Sequence, residues 1–189
     1  MNTDQIVTHV LELLESIGIP YVLVGSLASN TYGIVRATQD ADFVIQPSPG
    51  QFPLLLSSLG ATYEADPQIQ FETVTGTQKR FVREKSTGFV LEFFQLSQDP
   101  HDQARFARRQ KLDVVGRDAW VLTAEDVLVT KLNWLNRANR AKDLLDIRAV
   151  ISVQADNLDW PYIESWCDAH GSRPLLEKIR AELAVRRST

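Results

Sequence analysis

Two short apolar runs, "YVLV" at 21–24 and "DADFVI" at 40–45, restrict what this chain can fold into more than any other feature. Each is too short for an amphipathic helix, and its apolar residues follow one another almost without a break. A strand covered on both faces shows that pattern, because successive side chains point to opposite sides. Residues 26–32 between the runs fit a short helix turn. Strand, turn of helix and strand so close together predict a mixed α/β sheet flanked by helices.

The rest of the chain extends this pattern. Ile6, Val7, Val10, Leu11, Leu14 and Ile17 recur at helical spacing, with Thr3 or Asp4 expected to cap the start and Gly18 to end the helix. "PGQFPLLLSSLG" reads as a short helix closed by Gly60. Residues 61–96 are β-rich, with "FETVTG", "KRFVREK" and "GFVLEFFQL" broken by Gly76 and Gly88. Residues 97–111 read as helix or loop, and "LDVVG" with "DAWVL" as a hairpin. From Thr123 the pattern is helical, over about 124–136, 141–153, 160–169 and 173–186, with Thr123, Asp159 and Ser172 as N-caps and Gly171 as a C-cap. The division is therefore an α/β core over 1–122 and a C-terminal helical bundle over 123–189, expected to pack on the core.

Composition narrows the class. With 44% hydrophobic and 23% charged residues, the chain can build a core and is not of the disordered type. A net charge of -4 argues against a surface built wholly for nucleic acid. The single cysteine, Cys167, excludes an internal disulfide framework and a cysteine-rich metal site. The first residues lack a basic region before their apolar positions and do not read as a signal peptide. No apolar run approaches membrane-spanning length, so a cytoplasmic location with no membrane partner is expected.

The chemistry lies in "YVLVGSLASNTYGIVRATQDADFVI". Asp40 and Asp42 alternate onto the same side of their strand, where two carboxylates repel each other unless a cation shares them. Magnesium suits them, with manganese as the alternative: it is hard and takes one or two carboxylates together with substrate phosphates. Gly25 and Ser26 fall where the preceding strand turns into a helix. There a glycine lets a phosphate approach the backbone, and Ser26 and the free N–H groups donate to it. Taken alone, an Asp-x-Asp also caps a strand and a Gly-Ser also makes a turn.

The combination, "LVGSLASNTYGIVRATQDADFVI", resembles the signature of the polymerase-β-like nucleotidyltransferase superfamily. Within it, "YG…R.T.D.DFVI" looks most like the small bacterial branch related to abortive-infection toxin-type nucleotidyltransferases. The resemblance covers roughly 20–151. It implies a nucleotidyltransferase α/β core, an NTP substrate, Mg2+ and a third carboxylate on a nearby strand. Glu92, the one acid in "GFVLEFFQL", is that candidate, and its alternative is an edge strand with Glu92 facing solvent. Asp40, Asp42 and Glu92 are thus expected as metal ligands and catalytic groups, with Glu92 as general base for an acceptor hydroxyl.

Arg36 and Thr38 precede the pair: Thr38 shares its alternation, and Arg36 can reach a phosphate or form a structural ion pair. "VLTAEDVLVTKLNWLNRANRAKDLLDIRAVI" begins with a capping-box pair, Thr123 and Asp126. Lys131 sits at the edge of the apolar stripe of its helix. The related toxin-type enzymes carry a similar Lys and Asp facing the nucleotide, which by match are Lys131 and Asp143, with Asp146 one turn on. A bridge between packed helices is the alternative. Basic residues in "RFARRQK" and "NRANRAK" are read mainly as solvated helix faces, though they can also contact RNA phosphates. Trp120, Trp134, Trp160 and Trp166 are read as packing anchors. His9, His101 and His170 have no metal-ligand spacing.

Two functions follow as expectations. One is an enzyme that transfers a nucleoside monophosphate from an NTP to a hydroxyl on RNA, such as tRNA, or on a protein, acting as a toxin with an antitoxin partner. The other is a degenerate relative that binds nucleotide or a protein without catalysis.

Overall fold

The computed structural model describes residues 1–72, 76–138 and 140–187. Among these, the chain forms α1 (Thr3–Ile17), β1 (Tyr21–Val24), α2 (Gly25–Tyr32), β2 (Asp40–Ile45), α3 (Gln51–Leu59), β3 (Tyr63–Ala65), β4 (Gln70–Phe71), β5 (Gln78–Glu84) and β6 (Val90–Gln95). There follow α4 (Pro100–Ala107), β7 (Gln110–Val114), β8 (Arg117–Val121), α5 (Ala124–Ala138), α6 (Ala141–Gln154), a 3-10 turn (Ala155–Asn157), α7 (Trp160–His170) and α8 (Arg173–Arg187). Of the expected strand in "FETVTG", Phe71 lies in β4, Glu72 and Gly76 lie outside any strand, and residues 73–75 lie outside the described residues.

Two compact units emerge, one of Met1–Leu27 with Ala37–Leu122, the other of Ala28–Arg36 with Thr123–Thr189. The first holds an eight-stranded mixed sheet in the order β3-β5-β6-β2-β1-β8-β7, with β4 also paired to β5. β1 and β2 run antiparallel, while β2 with β6 and β1 with β8 run parallel. β7 and β8 form the expected hairpin. One face of the sheet buries Tyr21, Leu23, Phe43, Leu91 and Phe93, with Phe43 stacked on Phe93 at 5.5 Å and Phe52 of α3 meeting Phe93 edge-on at 5.7 Å. Ile6, Val7, Val10, Leu11 and Leu14 of α1 are fully buried in the same unit. Each such side chain contributes roughly 1.5–3 kcal/mol by leaving water. The helix starts from Asn2 rather than Thr3 or Asp4. The Asn2 side chain accepts from the Gln5 N–H and Gln5 Oε1 accepts from the Asn2 N–H, both at 2.9 Å, a reciprocal cap that neither expected residue makes. Gly18 ends it in the left-handed conformation, as expected.

The second unit is helical. The Asp126 N–H donates to Thr123 Oγ1 at 3.3 Å and the Thr123 hydroxyl donates back to Asp126 Oδ2 at 2.9 Å, opening α5. Asp159 caps α7 through the Tyr162 N–H, and Gly171 closes it with φ 68°. The segment 28–36 lies against α6: Gly33 approaches Val150 N and Ala149 Cβ so closely that an added Cβ would stand 3.2–3.3 Å from them. Gln154 Nε2 donates to the Tyr32 carbonyl at 3.0 Å. No helix among the described residues is long and apolar enough to cross a membrane.

Candidate active site

The register of β2 decides which side chains meet. Asp42 lies opposite Val24 of β1 on one side and Glu92 of β6 on the other, and Asp40 lies opposite Val90. Residues paired across neighbouring strands share a face, so Asp40, Asp42 and Glu92 all project from the side opposite the Phe43–Phe93 stack. The structure thus places these three carboxyl-bearing residues on one face of the first unit.

Gly25 is the hinge between β1 and α2. Its φ of 64° is left-handed, and a Cβ there would stand 1.9 Å from Asp42 Oδ2. The start of α2, with the buried Ser26, therefore lies directly beside the Asp42 carboxylate. Thr38 supports the other member of the pair, its hydroxyl donating to Asp40 Oδ1 at 2.5 Å. The donor set suits a hard divalent ion: Asp40 and Asp42 are partly accessible and oxygen-bearing, and Asp42 stands beside the start of α2.

Glu92 shares their face but has a different partner. Lys79 Nζ of β5 lies 2.5 Å from Glu92 Oε2. Among the described residues no three His, Cys, Asp or Glu side chains converge into a metal centre. Lys79 is the site residue that sequence reasoning missed. In the sequence it is one base in "KRFVREK"; only the antiparallel register of β5 on β6, with Lys79 opposite Phe94 and Phe81 opposite Glu92, carries it to Glu92.

The remaining expected residues form a cluster inside the second unit. Arg36 donates to both oxygens of Asp146, Nε to Oδ1 at 2.8 Å and Nη2 to Oδ2 at 2.9 Å. Lys131 Nζ lies 2.8 Å from Asp146 Oδ2 and 3.1 Å from Asp143 Oδ1. Burial pushes the Asp146 carboxyl upward, but the hydrogen bonds and charges of Arg36 and Lys131 outweigh it and hold the group below its ordinary value. Arg140 Nε is 3.3 Å from Asp143 Oδ2 without hydrogen-bond alignment, which leaves that buried oxygen without a hydrogen-bond partner among the described residues. Lys131 and Asp143, expected to face a nucleotide, are here bound to each other and buried. Asn30 fixes the chain leading to Arg36, donating to its carbonyl at 2.8 Å and accepting from its N–H at 3.2 Å.

Of the basic residues in "RFARRQK", Arg105 is buried against Asp102 and does not contribute to a surface patch. The four tryptophans are half-buried and three carry a cation over the ring: Arg109 on Trp120 at 5.0 Å, Arg140 on Trp134 at 4.7 Å and Arg180 on Trp160 at 4.1 Å. A groove of about 440 Å³ in the first unit is lined by Glu64, Asp66, Gln70, Phe81, Arg83 and Val90 among others. Phe81, Arg83 and Val90 share the sheet face of Glu92.

No family model and no curated protein sequence matches the chain. Solved structures do. ANT(2'')-Ia, in a crystal structure with adenylyl-2''-tobramycin, superimposes with a TM-score of 0.64 at 12% identity, covering 92% of this chain and 99% of that one. An antigenic nucleotidyltransferase-like protein from Paracoccidioides brasiliensis gives a TM-score of 0.59 at 20% identity, covering 95% and 93%. The lincosamide antibiotic adenylyltransferase LnuA, bound to lincomycin, gives 0.52 at 16%, covering 80% and 98%. At these identities the likeness establishes the fold: the chain has the α/β architecture of nucleotidyltransferases.

Proposed function

We propose that this chain is a metal-dependent nucleotidyltransferase that moves a nucleoside monophosphate from an NTP to a hydroxyl acceptor. One observation carries the reading: Asp40 and Asp42 share a sheet face, and Asp42 closes on Gly25 at the start of α2. That arrangement puts a carboxylate pair beside a phosphate-binding helix terminus. The transferase chemistry is assigned to residues 1–122.

In this reading the N–H groups at Gly25 and Ser26 hold the triphosphate. Asp40, oriented by Thr38, and Asp42 would hold Mg2+ or Mn2+, which supplies charge neutralisation for the triphosphate and the departing pyrophosphate. Glu92 accepts the proton of the acceptor hydroxyl. The acceptor oxygen bonds to the α-phosphorus, the bond from that phosphorus to the bridging oxygen breaks, and pyrophosphate leaves with the electron pair. The groove floored by Phe81, Arg83 and Val90 gives the acceptor an approach along the face of Glu92. Acceptors of three kinds fit: RNA such as tRNA, a protein hydroxyl, or a small polyhydroxylated compound, the last because ANT(2'')-Ia is seen with adenylyl-2''-tobramycin. A toxin paired with an antitoxin is the finer reading that the sequence resemblance supports. Arg36, Lys131, Asp143 and Asp146 are assigned to holding the second unit together, because their charges are spent on one another.

The test is incubation with each α-labelled NTP and Mg2+ against pools of RNA, protein and aminoglycoside or lincosamide compounds. Label should pass to one pool and fail to pass with Asp40→Ala/Asp42→Ala. Transfer that persists in that variant overturns the mechanism.

A further inference from the structure

Lys79 is held more firmly than a surface lysine would be. Its ammonium sits 2.5 Å from Glu92 Oε2, and the rings of Phe81 and Phe94 lie 4.4 Å and 4.9 Å from the same nitrogen. Both partners of the pair are less than one-fifth exposed. The register explains the arrangement: Phe81 and Phe94 stand on the same face as Lys79 and Glu92, at the two other corners of one cross-strand square. A cation between two aromatic faces and a carboxylate, with little water, is fixed by all three at once.

Three carboxylates, Asp40, Asp42 and Glu92, therefore stand together on this face, and Lys79 is the cation paired with one of them, while Arg83 stands on the same face opposite Val90. Asp42 and Glu92 are in-register neighbours, yet Glu92 meets Lys79, and no third acid joins Asp40 and Asp42 among the described residues. One ammonium and one divalent ion together balance three carboxylates. Two divalent ions in addition to the ammonium would over-neutralise these three carboxylates before a triphosphate arrives.

Resting on the transferase reading above, we propose that Lys79 is a positioning residue that takes the place of a second metal ion. It holds the Glu92 carboxylate outside the metal's ligand set, so the face binds one divalent ion, on Asp40 and Asp42. Glu92 is thereby kept available to accept the acceptor's proton.

Mn2+ titration followed by electron paramagnetic resonance counts the ions without any turnover. The wild-type chain should bind one Mn2+, and Asp42→Asn should lose it. Lys79→Met, which keeps the length of the side chain and removes its charge, should bind two. The double variant Lys79→Met/Glu92→Gln should return to one. Two ions on the wild type, or one on Lys79→Met with its fold intact by circular dichroism, overturns the proposal. Where Lys79→Met does not fold, Glu92→Gln alone decides: its single Mn2+ affinity should stay within about twofold of wild type, and a loss of about tenfold or more overturns the proposal. A wild type that binds no Mn2+ overturns the Asp40–Asp42 reading itself, an outcome distinct from those above.

Discussion

The carboxylate of Asp42 occupies the space that a side chain on Gly25 would need: an added Cβ would stand 1.9 Å from Oδ2 and 2.7 Å from Cγ. Glycine at 25 thus serves two ends at once. It permits the left-handed turn from β1 into α2, and it leaves Asp42 room to stand against the helix start.

Gly25→Ala should therefore damage stability and the metal site together. The left-handed conformation alone costs an alanine about 1–2 kcal/mol, and Asp42 must also swing away. Urea denaturation should show the destabilisation, and Mn2+ affinity should fall by about tenfold or more. A variant that loses stability but keeps wild-type Mn2+ affinity would separate Gly25 from the site.

Glu92→Gln keeps the shape of the side chain and removes its ability to accept a proton. Turnover at saturating NTP and acceptor should fall by about 10²–10⁴-fold, the usual contribution of a positioned general base. The KM for NTP should stay near wild type, since Glu92 is assigned no contact with the triphosphate. A variant with wild-type turnover would remove Glu92 from the mechanism.

The strands that position these acids were legible because their residues are apolar on both sides of the chain, as in β1 and the end of β2. Helix ends marked by Gly18, Asp159 and Gly171 were legible for a local reason: their hydrogen bonds span three to five residues. Asn2 escaped notice although its reciprocal partner Gln5 is three residues on, because Thr3 and Asp4 are cap-forming types as well. What lay beyond the sequence was pairing at a distance. Arg36 and Asp146 are 110 positions apart, and Lys79 meets Glu92 only through the register of β5 on β6. Alternation reveals which face a strand residue takes, but not which residue of the next strand stands beside it.

Glu84 offers a pH test in the first unit. Hydrogen bonds from the Thr87 hydroxyl and N–H, with those from Ser86, pull its carboxyl from the ordinary 4.5 down to about 2. A group depressed on folding stabilises the fold above its unfolded pKa, and that contribution fades as pH falls from about 4.5 through about 2. Glu84→Gln should flatten this part of the curve of melting temperature against pH, while the gap from wild type is largest near neutrality. A gap that stays constant from pH 7 to pH 2 would contradict the assignment.

Lys131→Met separates the structural role of the second unit's ion cluster from a nucleotide-binding one. The Lys131 side chain is 8% exposed and those of Asp143 and Asp146 are 4% and 5% exposed. Removing the ammonium leaves Asp143 with the misaligned Arg140 and leaves Asp146 with Arg36 alone. A buried ion pair broken from one side costs about 3–5 kcal/mol, and urea denaturation should show a loss of that order. Adding Asp143→Asn to Lys131→Met should recover part of it, because the orphaned charge is then gone. Arg36→Met should cost less, since Arg36 is 32% exposed and Lys131 still meets Asp146. The KM for NTP should stay within about twofold of wild type in Lys131→Met. That expectation follows because a charge already satisfied by two buried carboxylates has nothing left to give a phosphate, whereas a tenfold higher KM at wild-type stability would make Lys131 a ligand of the nucleotide.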